Sequence, residues 1–149
     1  MCIRDRAGSA STVIQRIQFN AQITMVVPAG TRLHVGQNYW PKVQNQNYNS
    51  TQPINWNQFL LVKATAECPE YDYYSIVPSL APTSHYNNLA AGDTLKLFSL
   101  AIDTLKGCAS DIRLFENEID ISSDHPCAGT IDLRNGFTMG GVAQLYNGN

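Results

Sequence analysis

Between residues 13 and 27 the chain alternates with a period of two. Val13, Ile17, Phe19, Ala21, Ile23, Met25 and Val27 take the odd positions, interrupted by Gln15, while Arg16, Gln18, Asn20, Gln22 and Thr24 take the even ones. Successive side chains of a strand point to opposite faces, so this run predicts an apolar face on a core and a polar face in water. Pro28-Ala29-Gly30 ends it with residues that favour a turn. Some fifteen residues is long for one strand, and a bulge or bend is expected.

Further strand-like runs follow at 31–35, 56–66, 71–77, 94–102 and 111–115, with shorter ones at 119–121, 131–133 and 137–142. The run at 71–77 is rich in aromatic and β-branched residues, which suit a pleated, half-buried surface. Turn-forming clusters separate them at 36–38, 45–52, 81–88, 91–93, 106–107 and 122–129. A period of 3.6 residues is not sustained over three turns anywhere, so little helix is expected. Seven to nine short strands punctuated in this way predict an all-β protein, a two-sheet antiparallel sandwich.

The two ends modify this picture. Residues 1–6, Met1-Cys2-Ile3-Arg4-Asp5-Arg6, look like a translated sequencing-adapter remnant, and residues 1–12 are expected to be a disordered lead-in. Residues 13–149 then form a single domain of ordinary size. The final Asn147-Gly148-Asn149 stops on a turn signal, so both ends read as truncations of a longer parent.

Composition narrows the function classes. Only 15% of residues are charged, below the roughly 25% usual in soluble domains, and Asn, Gln, Ser and Thr carry most of the polarity. That balance suits a secreted β-protein. The formal charge is −2, one unit more negative without Arg4, Asp5 and Arg6, and no basic cluster stands out. Phosphate-backbone binding needs such clusters, so nucleic acid is not an expected partner. Apolar runs are far shorter than the roughly 20 residues a membrane-spanning helix requires, and no membrane span is expected.

With Cys2 set aside, Cys68, Cys108 and Cys127 are the disulfide candidates. An odd count suggests one bridge and one thiol, with Cys108–Cys127 or Cys68–Cys108 as the expected pair; three small buried thiols are the alternative. There is no CxxC and no histidine at a metal-ligand offset, so no zinc site is expected. Nor is there a GxSxG or a phosphate-cradling glycine loop, Gly140-Gly141 standing by itself. His34, His85 and His125 are scattered in loop-like settings and read as solvated surface residues.

Two clusters remain. Residues 111–132 are acidic, and Glu116, Asn117, Asp120 and Asp124 are the candidates for calcium, which takes six to eight oxygen ligands. Their spacing is not that of an EF-hand, and charges that discourage edge-to-edge strand pairing explain them equally well. Calcium is the only cofactor entertained. Among the aromatic residues, Trp56, Tyr71 and Tyr73 are the candidate ligand-binding platforms, since ring faces stack on sugars; packing in the core is the competing role. Asn49-Ser50-Thr51 fits a glycosylation sequon.

In the second half of the chain a family pattern emerges. Its motifs are Cys68-Pro69-Glu70-Tyr71-Asp72-Tyr73-Tyr74-Ser75-Ile76, Asn88-Leu89-Ala90-Ala91-Gly92-Asp93-Thr94-Leu95-Lys96-Leu97-Phe98-Ser99, Cys108-Ala109-Ser110-Asp111-Ile112-Arg113-Leu114-Phe115-Glu116-Asn117 and Asn135-Gly136-Phe137-Thr138-Met139-Gly140-Gly141. Together they resemble the cohesin-like or carbohydrate-binding-module-like N-terminal modules of large Bacteroidetes surface proteins, which are associated with gliding motility and type IX secretion. The resemblance implies a jelly-roll sandwich, export, and a role in adhesion or scaffolding, and it transfers no ligand residues. Such modules carry a Gly-rich or Pro-rich segment where this chain has Asp124-His125-Pro126-Cys127, and Cys127 is a departure.

The resulting expectation is a non-catalytic extracellular module of a secreted or surface-anchored bacterial protein, with a protein or polysaccharide partner at the cell surface. The alternative is an ancillary carbohydrate-binding module of a secreted multidomain enzyme, which predicts Trp and Tyr aligned on one exposed face. An enzyme in its own right would need a pocket of converging ionisable groups, and none is expected.

Overall fold

The alternating run becomes the longest strand of the fold. In the computed structural model, which describes residues 2–4, 17–39, 54–68, 70–79, 87–88, 94–106, 108–139 and 142–145, it forms one uninterrupted strand, β2 (Ile17–Pro28). Preceding it is β1 (Cys2–Arg4). After it come β3 (Arg32–Asn38), β4 (Trp56–Val62), β5 (Tyr71–Pro78), β6 (Asn87–Asn88), β7 (Thr94–Lys96) and β8 (Phe98–Thr104). The last three are β9 (Arg113–Leu114), β10 (Gly136–Met139) and β11 (Val142–Leu145). Helical structure among the described residues amounts to one 3-10 turn, Ala109–Asp111.

All pairings among the described residues are antiparallel. The principal sheet runs β11-β10-β2-β5-β4, with β6 and β9 also pairing with β2; β3 pairs with β8, and β1 with β7. The protein is thus an all-β antiparallel sandwich. The bulge expected within the long run falls on β2 itself: between Thr138 and Met139 β10 advances one residue while β2 advances two, from Asn20 to Gln18. Residues 2–4, taken in the sequence as foreign to the fold, form a strand against Thr94–Lys96.

The odd positions of β2 point as their periodicity predicts. Ala21, Ile23, Met25 and Val27 pack with Trp56 of β4, Tyr74 and Ile76 of β5, Leu95 of β7, and Leu33 and Phe98 of the β3–β8 layer. Trp56 and Phe98 meet with ring centroids 5.0 Å apart.

The even face departs from expectation. Thr24 and Val26 are fully buried, because residues 115–135 cross this face instead of leaving it to water. Val26, Val62 and Tyr73 meet Phe115, Ala128 and Leu133 there, with Ile121 and Ile131 packed alongside. The alternation at 119–121 and 131–133 therefore anchors an irregular layer and builds no strand. Three levels result, with β2 and β5 covered on both sides, and β5 shows it most plainly: Asp72 through Ile76 are all buried.

Polar groups hold the connections in place. The turn between β2 and β3 closes through a Thr31 N–H to Pro28 C=O bond of 3.0 Å, with Gly30 at φ 80°. Glycine meets that demand because the third residue of a type II turn needs a positive φ. The buried Asp72 carboxylate accepts from the Gly30 amide at 2.8 Å and the Ala64 amide at 2.6 Å, tying this turn to the β4–β5 connection.

Candidate functional site

The irregular layer over the even face of β2 gathers most of the residues singled out in the sequence. Its first anchor is Asn135. This buried amide accepts from the Thr24 N–H at 2.6 Å and donates to the Phe115 C=O at 2.9 Å, while the Phe115 N–H reaches the Thr24 C=O at 2.9 Å. The side chain thus continues the backbone ladder where β9 has ended and β10 has not begun. Gln22 adds bonds to the Asp132 and Arg134 carbonyls.

The second anchor is an ion pair. Arg113 grips Asp120 with both terminal nitrogens, at 2.6 and 2.7 Å, and the Glu116 amide donates to the same carboxylate at 2.7 Å. The Asp120 side chain is only 2% exposed. Fork-to-fork geometry and the extra amide donor compensate for burying the charge, and stranding one partner of such a pair typically costs about 3–5 kcal/mol. The hydrogen bond to Asp120 is the main reason that the Arg113 pKa is raised. Beneath the pair lie Tyr71, whose ring sits 5.7 Å from the guanidinium carbon, and Tyr73, whose hydroxyl donates to Asp120 over 3.5 Å. Burial, reinforced by the negative charge of Asp120, pushes the Tyr73 phenol up to about 12.

These contacts revise two expectations. Trp56 and Tyr73 are core residues, 3% and 5% exposed, and cannot offer ring faces to a sugar; Tyr71 is half-buried under Arg113. A strand with both faces covered has no free platform, so the aromatics at 71 and 73 are spent on packing. The calcium candidates do not converge either. Asp120 is committed to a guanidinium, which repels a second cation, and Glu116, Asp120 and Asp124 form no ligand cluster among the described residues. Asn117 and Asp124 are exposed on the turns of the layer.

The third anchor is covalent and corrects the expected pairing. Cys68, in the β4–β5 connection, is bonded to Cys127 across 59 residues, with a Cα–Cα distance of 6.4 Å, and Cys108 is a free, exposed thiol. With Cys68 and Cys127 bonded to each other, Cys108 keeps its thiol at the head of the 3-10 turn, where its amide donates to the Asp111 carboxylate at 3.1 Å. Beside the disulfide stands His125. One of its ring nitrogens and both sulfurs lie within 4.8 Å of one another, and the Cys127 amide donates to its Nδ1 at 3.2 Å. This Cys-His-Cys group was missed in the sequence, where His125-Pro126-Cys127 was the sole local signal and Cys68 lay far upstream.

His34 sits 3.2 Å from Asp103 across β3 and β8, on an exposed surface. His85, the 49–51 sequon and Gly140-Gly141 lie outside the described residues. Among the described residues no helix is long and apolar enough to cross a membrane.

Fold and site together define an all-β sandwich with a stapled irregular layer on one face. Comparison of the chain with protein-family models, curated proteins and solved structures finds no match.

Proposed function

We propose that this chain is a non-catalytic extracellular module, serving adhesion or scaffolding within a secreted or surface-anchored bacterial protein. The Cys68–Cys127 bond carries the reading, since disulfides form and persist mainly in oxidising compartments. The low charge content and the resemblance to cohesin-like surface modules point the same way. A protein or polysaccharide at the cell surface is the partner class. The carbohydrate-binding alternative draws less support, because Trp56 and Tyr73 are consumed by packing.

Exported from a bacterial host behind a cleavable leader, the chain should turn over none of a panel of chromogenic ester, glycoside and peptide substrates. Turnover that survives repurification would overturn the non-catalytic reading. Saturable binding on a glycan array would move the weight to the carbohydrate-binding alternative.

A further inference from the structure

Cys68 comes from the β4–β5 connection and Cys127 and His125 from the layer across the sheet, yet their ligand atoms converge to within 4.8 Å of one another. Donors around one zinc ion, at bond lengths of about 2.3 Å to sulfur and 2.0 Å to nitrogen, are separated by roughly 3.5–3.8 Å. The fold therefore brings the three near the required spacing, and parting the sulfurs is a matter of side-chain rotation. Access is open as well: His125 is exposed, and both cysteines are half-buried.

We propose that, once the disulfide is reduced, the Cys68 and Cys127 thiolates and the His125 imidazole form a three-ligand zinc site whose fourth position is open to water. Two thiolates and one imidazole match the soft-to-borderline preference of this ion. The charges also balance, two thiolates neutralising one divalent cation without help from a carboxylate. Reduction by a phosphine adds two electrons and two protons to the sulfurs, and the phosphine leaves as its oxide with an oxygen from water. Zinc then displaces one proton from each thiol. Whichever ring nitrogen ligates, His125 can no longer accept from the Cys127 amide, for its Nδ1 lone pair is either taken by the metal or covered by a proton. Disulfide and metal site are alternative states of the same residues. The inference concerns the reduced chain, so it stands or falls apart from the proposed function.

The test uses the full chain, reduced with a phosphine, desalted without oxygen, and titrated with zinc alone or with cobalt as a coloured substitute. One metal per chain is expected, with a sulfur-to-cobalt charge-transfer band and the intense visible bands of a tetrahedral site. Cys68→Ser should abolish binding, His125→Ala should shift the cobalt spectrum and weaken binding, and Cys108→Ser should change neither. In the unsubstituted chain, zinc should slow alkylation of Cys68 and Cys127 but not of Cys108, a readout independent of whether any variant folds. Unchanged alkylation at saturating zinc would overturn the proposal, as would metal binding that survives Cys68→Ser or is lost with Cys108→Ser.

Discussion

Tyr73 concentrates the energetics of the layer in one side chain. It is buried, faces Phe115 at 6.3 Å between ring centroids, and points its hydroxyl at the carboxylate of Asp120. Ionising that phenol would place a second negative charge beside the first, away from water. The unfolded chain releases this proton near pH 10.0, the folded chain only near 12. Its contribution to stability is therefore complete below pH 10 and lost as pH climbs toward 12, a change of roughly 2 kcal/mol. Tyr74, also shifted upward by burial and then by Asp72, acts in the same sense. Denaturation midpoints between pH 9 and pH 12 should fall less steeply for Tyr73→Phe than for the unsubstituted chain. Equal slopes would mean that Tyr73 is not held as described. None of this was legible in the sequence, where Asp120 reads as one surface acid among several. Its partner Arg113 stands seven residues upstream, at a spacing that marks no regular element.

At the level of elements, periodicity told where strands lie better than what covers them. The odd positions of β2 reach the core as their alternation requires, and Tyr71 and Tyr73 share one face of β5 with Tyr74 on the other. The even face of β2 was misjudged because its cover, residues 115–135, has no ladder and hence no period to read. Glutamine and threonine there look solvated, yet Gln22 is bonded to that segment and Thr24 is sealed beneath it. The short alternations at 119–121 and 131–133 misled in the opposite direction, since Ile121, Ile131 and Leu133 alternate to reach the core without pairing as strands. Cysteine pairing was equally unreadable, because spacing along the chain carries no information about which loops meet. The 59-residue closure implies that the bond contributes about 4 kcal/mol by restricting the unfolded chain. Replacing both Cys68 and Cys127 by serine should lower stability by about that amount in chemical denaturation, and hydrogen exchange should rise first in residues 115–135. An unchanged midpoint would show that the bond does not hold this layer.

For the molecule as a whole, sandwich and staple form one argument. A two-sided central sheet needs a cover on each face. One is supplied by the β3–β8 layer, the other by a segment too irregular to hold itself through backbone pairing. That second cover is fastened by Asn135, by Arg113 with Asp120, and by the disulfide. A fold fastened in this way suits life outside the reducing cytoplasm, which is the basis of the functional reading. The measurement that tests it most directly is non-reducing peptide mapping of the exported chain, with free thiols blocked by a maleimide at lysis. The account predicts a linked peptide pair containing Cys68 and Cys127, with the adduct on Cys108. Adducts on Cys68, Cys108 and Cys127 alike, or a bridge that includes Cys108, would contradict it.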